Sequence, residues 1–182
     1  DNATLRANRE AFKNYHLRPR RLVDVSSIDM ARTLFGIQWD SPIFLCPAAS
    51  QKAYHPEGEV AVARAAKSQG HLQILSTGTT SSLEDVNAAR GTPVWFQLYT
   101  QGWEITRSFV DRAEAAGCPV LVLTVDQLRP HQNSETQFRY IREDTRSCIQ
   151  CHDPDDLLRN MRMFDGVNLE ARESDQDHLT WD

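Results

Sequence analysis

The sequence predicts an α/β fold built on a parallel sheet, and three observations carry that reading. Apolar runs alternate with helix-compatible stretches at a spacing of roughly 22 to 29 residues, as right-handed βαβ units require. The runs are short and continuously apolar, the pattern of strands buried on both faces. Each run ends in small or hydrogen-bonding residues, and in parallel sheets reactive groups collect at those carboxyl ends.

In chain order, Leu5 to Tyr15 is helix-compatible, and the basic stretch Arg18-Pro19-Arg20-Arg21 stops it, because proline cannot continue a helix. Asp40-Ser41-Pro42 turns into the first strand, Ile43-Phe44-Leu45-Cys46. Pro56-Glu57-Gly58-Glu59 opens a helix over Val60 to Lys67, with its acids at the positive end of the dipole and Gly70 beyond its end. Leu72-Gln73-Ile74-Leu75 is the second strand, and Ser81-Ser82-Leu83-Glu84 reads as a capping box for a helix that Gly91 closes. Val94 to Tyr99 is the third strand. Ile105, Phe109, Ala113 and Ala116 then mark one helical face before Gly117. Pro119 to Val125 is the fourth strand.

The expected organisation is a lead-in segment over residues 1–40, a strand–helix region over 41–126, and a polar loop or lid over 127–182. A structureless loop of that length points to function, or to a continuation elsewhere. With 20 basic against 25 acidic residues the formal charge is −5, which does not suggest a nucleic-acid footprint. No apolar run approaches the ~20 residues that a bilayer crossing needs. The start, Asp1-Asn2-Ala3-Thr4, has neither a basic nor an apolar signal character. The expectations are no membrane span, no export, and a cytoplasmic or organellar location. Four cysteines are too few for a disulfide scaffold, so a reducing compartment is expected.

The residues at the strand ends are Pro47-Ala48-Ala49-Ser50, Ser76-Thr77-Gly78, Gln97 with Tyr99, and Thr124 with Asp126. Singly, each has an ordinary explanation as a turn or cap residue. Together they place neutral donors, acceptors and small residues at four successive strand ends, where a flat ligand can approach the backbone. Gln, Ser and Thr suit the edge of a conjugated ring and are poor at removing protons. The sequence has no nucleophile elbow, Walker loop or GxGxxG, so a cofactor would carry the difficult step.

Asn8-Arg9-Glu10-Ala11-Phe12, Asp24-Val25-Ser26, Gln51 through Glu59, Phe96-Gln97-Leu98-Tyr99 and Leu123-Thr124-Val125-Asp126 occur in one colinear order. In that order and spacing the chain resembles the FMN-dependent α-hydroxy-acid oxidising family, which includes glycolate oxidase, mandelate dehydrogenase and the lactate-oxidising flavocytochromes. The resemblance runs from about Thr4 to Asp126, and Leu179-Thr180-Trp181-Asp182 resembles the segment before the family's fifth barrel unit. It implies a TIM (βα)8 barrel holding FMN, to which this chain supplies about the first four βα units. A complete barrel takes ~250 residues. It further implies that Pro47, Ala48 and Ala49 lie against the flavin through their backbone and that Ser76, Gln97 and Thr124 hydrogen-bond its ring. Tyr99 would reach the substrate's hydroxyl or carboxylate, and Asp126 would orient a catalytic histidine. That histidine and the arginine that clamps a substrate carboxylate belong to the family's second half. The expected partners are a companion chain or C-terminal half carrying units five to eight, a small L-2-hydroxy acid, and further copies in a homo-oligomer of completed barrels.

Where many members of that family have a bulky side chain after the second strand, this sequence has Gly78, as the mandelate-oxidising branch does, and the resemblance implies room for an aryl or long substituent beside it. In the following loop, Gln132-Asn133-Ser134-Glu135 lacks the arginine that family members place before the Glu, and neither Asn133 nor Ser134 holds a carboxylate bidentately. Cys148-Ile149-Gln150-Cys151-His152 has the spacing of c-type haem attachment. The same thiols with His152 and a fourth ligand would suit Zn²⁺, and without either they simply stiffen the loop. His55 reads as a helix-lead-in residue rather than a base. Two rival functions follow: a haem- or metal-binding electron-transfer module, and a non-catalytic half-barrel scaffold.

Overall fold

The computed structural model describes residues 2–125 and 161–171. They fall into two compact units, residues 2–29 and residues 30–125 with 161–171. The first unit holds helix α1 (Ala3–Ala11) and a 3-10 turn over Phe12–Asn14, after which Tyr15 is extended. The helix therefore ends ahead of Pro19.

The second unit opens with an antiparallel hairpin, β1 (Arg32–Leu34) and β2 (Ile37–Trp39), which the sequence reading did not anticipate. Both residues of its turn are left-handed, Phe35 at φ 50° and Gly36 at φ 77°, as a tight hairpin turn demands. Phe35 is an unusual occupant of that conformation, and its ring meets Trp95 edge to face at 5.3 Å. The remaining elements are β3 (Phe44–Leu45), α2 (Gly58–Gln69), β4 (Leu72–Leu75), α3 (Leu83–Arg90), β5 (Trp95–Leu98), α4 (Trp103–Ala115) and β6 (Leu121–Leu123). The strands form one parallel sheet in the order β3-β4-β5-β6, with a helix in each crossover, so the predicted α/β alternation is what the chain adopts.

Alternation along the strands divides the core in two. Leu75, Phe96 and Leu98 point outward to the helices, where they pack with Ala63, Val86 and the Ile105-Phe109-Ala113 stripe of α4. Leu72, Ile74 and Trp95 point to the other face with Val120 and Val122, and Trp39 of the hairpin covers them. β4 and β5 are buried along their whole lengths. The outer strands are not. Leu121 and Leu123 of β6 are exposed, as is Phe44 of β3. Each outer strand has one neighbour, so the closed barrel that the family resemblance implies is not formed by the described residues. The first, third and fourth strands are shorter than the apolar runs that predict them.

Two local readings shift. The N-cap of α3 is Ser82, whose hydroxyl accepts the Asp85 N–H at 3.1 Å, so the expected Ser81–Glu84 box is displaced by one residue. Within the expected loop or lid, Met161, Met163, Phe164 and Val167 pack on the core: Met163 and Phe164 are buried, and Phe164 meets Phe109 edge to face at 4.9 Å. Among the described residues no helix is long and apolar enough to cross a membrane.

Replacing Phe164 by Ala removes a ring that is 7 % exposed and opens a cavity against Phe109. The expected loss is about 3 kcal/mol, read as a lower urea midpoint at unchanged slope.

Candidate functional site

The face that is apolar at the base of the sheet turns polar at its carboxyl end. On each strand the residue two positions beyond an inward apolar one keeps the same direction, which carries Ile74 to Ser76, Trp95 to Gln97 and Val122 to Thr124. These three side chains form one hydrogen-bonded line. The Ser76 hydroxyl donates to Gln97 Oε1 at 3.3 Å, and Gln97 Nε2 donates to Thr124 Oγ1 at 2.9 Å. The backbone N–H of Thr77 also donates to Gln97 Oε1, at 3.3 Å, and since an N–H can only donate, it fixes which way the amide faces. Thr77 Oγ1 donates to the Gln97 carbonyl at 2.6 Å and accepts the Tyr99 N–H at 2.9 Å, tying the ends of β4 and β5 together. Ser76 and Gln97 are buried.

This line has unspent capacity. Among the described residues, the second Gln97 Nε2–H and the Thr124 hydroxyl proton have no acceptor. A planar group with acceptors along one edge fits that donor set, and no side chain of the line is a proton acceptor of useful basicity. Tyr99 lies on the same strand face as Gln97, one alternation further out, and is half-buried. Pro47, Ala48 and Ala49 follow β3, and Ala48 and Ala49 are exposed. Gln51 Nε2 donates to the Ala48 carbonyl at 3.1 Å, and the Ser50 N–H donates to the Gly78 carbonyl at 3.0 Å. A Cβ at Gly78 would stand 2.9 Å from Ala49 Cβ and 3.6 Å from Met161 Cε. The missing side chain thus permits close approach of the loops after β3 and β4, and the space beside Gly78 is occupied from two sides. Asp126, the Gln132–Glu135 stretch and the Cys148-Cys151-His152 group lie outside the described residues.

What the sequence reading missed is Glu59. Read as a dipole-facing acid, it is instead fully buried, and its carboxylate is turned toward the loops. Oε1 accepts the Thr80 N–H at 2.9 Å and the Gln51 N–H at 3.3 Å, Oε2 accepts the Ser81 hydroxyl at 2.8 Å, and the Thr80 hydroxyl donates to both oxygens. Ser81 is drawn away from capping α3 by this bond. Burial pushes the Glu59 carboxyl up, but the Thr80 N–H and the Ser81 and Thr80 hydroxyls outweigh it and hold the group below the usual glutamate range. The available signal was Glu59 followed about twenty residues later by the Thr79-Thr80-Ser81-Ser82 run of donors. His55 opens α2, its Nδ1 accepting the Glu57 N–H at 3.2 Å, as a lead-in residue does. Burial pushes the Cys118 thiol up to about 11, which keeps it an inert packing residue. Among the described residues no cluster of three or more His, Cys, Asp or Glu side chains could hold a metal ion.

Comparison with known proteins gives a consistent result. The family model described as FMN-dependent dehydrogenase matches residues 1–181. Glycolate oxidase 3 of Oryza sativa subsp. indica is 48 % identical over 130 residues, which are 71 % of this chain and 35 % of that protein. A lactate oxidase structure from Pediococcus acidilactici superposes with a TM-score of 0.63 at 34 % identity, covering 69 % of this chain and 36 % of the other. A mandelate oxidase structure does so with a TM-score of 0.61 at 42 % identity, covering 68 % and 36 %. The chain therefore spans about a third of the length of the relatives that it matches.

The Glu59 network makes stability depend on acid. A carboxyl held low in the folded state contributes stability above its unfolded pKa of about 4.3, and that contribution is lost as pH falls through the folded value. Glu59→Gln puts an amide donor against donors and is expected to lose roughly 1–3 kcal/mol at pH 7. The difference between the urea midpoints of the two proteins should shrink as pH falls from 7 to 3.

Proposed function

This chain belongs to the FMN-dependent dehydrogenase family, and on that footing we propose that it forms the first four βα units of a (βα)8 barrel that binds FMN and oxidises an L-2-hydroxy acid to the 2-oxo acid. In this reading residues 41–126 are the half-barrel, residues 1–40 lead into it, and residues 127–182 belong to the loop after its fourth strand. Units five to eight come from the rest of a longer polypeptide or from a companion chain, and completed barrels assemble as a homo-oligomer. Their strands would cover β3 and β6, whose outer edges expose Phe44, Leu121 and Leu123. The observation that carries the reading is the Ser76–Gln97–Thr124 line, a row of neutral hydrogen-bonding groups across three strand ends with donors to spare.

The reaction removes two electrons and two protons as C–OH becomes C=O. FMN, when bound, supplies the two-electron acceptor. The chain's own residues bind and orient. Gln97 and Thr124, backed by Ser76, hold the polar edge of the ring, and the backbone of Pro47, Ala48 and Ala49 supports its face. The amide orientation fixed by Thr77 presents the N–H side of Gln97, so this edge is set before any ligand arrives. Tyr99 donates a hydrogen bond to the substrate's hydroxyl or carboxylate. Gly78 borders the substrate's substituent. Asp126 orients and charge-supports a histidine base furnished by the remaining units.

The test is made on the complete protein that contains this chain. Denaturation is expected to release a flavin spectrum, and an anaerobic 2-hydroxy acid is expected to bleach it before denaturation; a colourless protein defeats the proposal. Thr124→Val removes one donor to the ring and the acceptor of Gln97 Nε2; it should weaken FMN retention about tenfold, in line with ~1.4 kcal/mol for one such bond, and lower the melting temperature modestly. Tyr99→Phe should slow turnover while retaining the flavin. Loss of flavin from that variant would reassign Tyr99 to the cofactor.

A further inference from the structure

We infer that Met161 sets how large a substituent the substrate can carry, by packing from the far side of the chain against the end of β4, where Gly78 carries no side chain. This deepens the proposed 2-hydroxy-acid oxidation and rests on it. A side chain at position 78 would point between two neighbours, Ala49 Cβ at 2.9 Å and Met161 Cε at 3.6 Å from its first carbon. The two are not equivalent. Ala49 is a methyl fixed to a backbone whose next residue, Ser50, donates to the Gly78 carbonyl, so it cannot withdraw without breaking that bond. Met161 ends in a flexible, polarisable thioether with three rotatable bonds, able to swing aside for an apolar group or to close behind a small one.

The backbone that carries Met161 is held. The Arg162 N–H donates to the Thr79 carbonyl at 3.0 Å, one residue past Gly78. Arg112 of α4 donates to the Arg162 carbonyl at 2.6 Å while gripping Glu84 of α3 through two further bonds at 2.9 and 2.7 Å. Met163 and Phe164 anchor the next turn in the core. The result is a rigid strut with one adaptable side chain at its tip, at the end of the strand that supplies Ser76. A glycine in the second strand's end is therefore not equivalent to an empty pocket here; the place of its missing side chain is taken by Ala49 and by a residue more than eighty positions later.

The experiment compares kcat/KM for a methyl-substituted and a phenyl-substituted 2-hydroxy acid in the complete protein, with flavin absorbance recorded for every variant. Met161→Ala should raise the phenyl-to-methyl ratio at least tenfold, Met161→Trp should lower it at least tenfold, and Met161→Leu should leave it within twofold, all with bound flavin unchanged. Ratios within twofold of wild type for both Ala and Trp variants overturn the inference while leaving the proposed oxidation intact. Loss of flavin from the Ala variant also overturns it, since Met161 would then belong to the cofactor's seat. A wild-type protein that oxidises neither acid brings down the proposed function and this inference together.

Discussion

A carboxylate buried among neutral donors fixes the rim of this sheet. Glu59 begins α2, yet its oxygens are shared among the turn after β3 and the loop after β4, through Gln51, Thr80 and Ser81. Among the described residues it has no cationic partner; N–H and O–H dipoles alone offset its desolvation. Such a group tolerates little movement, because every donor that leaves exposes charge to an apolar interior. The start of α2, the turn before it and a loop about twenty residues later are thereby held to one geometry, and the two loops involved carry Ala48, Ala49, Ser76 and Gly78.

Within that frame the sheet has a graded inner face. At the base Leu72, Ile74 and Trp95 are sealed by the hairpin through Trp39 and Phe35, so the lower interior is filled by side chains rather than solvent. Two residues higher on each strand the same direction delivers Ser76, Gln97 and Thr124. The strand period that buries the base therefore also aims the polar row, and no separate device is needed to set those groups side by side at the carboxyl ends. Thr77 adds the cross-tie. Its side chain bonds the backbone of β5 at two positions, and its N–H holds the Gln97 amide in one orientation. Preorganisation of this kind suits a site whose chemistry lies in a bound cofactor, where the protein's task is to fix a ring and present a substrate to it.

The outer layer contributes differently. The Arg112–Glu84 pair spans α3 and α4 at the surface, where an ion pair by itself adds little stability. Its third bond, to the Arg162 carbonyl, gives it another role: it seats a late segment of the chain against two helices that precede it in sequence. A family built on repeated βα units can vary what sits over its carboxyl ends by altering such returning segments, while the strands and their polar tips stay in place.

The sequence by itself determined the order and type of the main elements, because burial on both faces of a parallel sheet writes continuous apolar runs, and glycines at 70 and 91 punctuate the helices between them. It also determined which residues stand at the strand ends, since a period of two needs no tertiary information. The hairpin at Arg32–Trp39 escaped notice because Phe35-Gly36 lacks the Asn or Asp that usually marks such a turn; the ring of Trp95, sixty residues on, stabilises it. Glu59 looked like a helix-dipole residue because local spacing fits that role equally well. Only the tertiary structure could bring Thr80 and Ser81 within reach of it, take Ser81 from the capping box, and set Met161 beside Gly78. In each case the deciding partner is remote in sequence, and a buried charge or an unfilled volume takes its partner from whatever the fold places nearest.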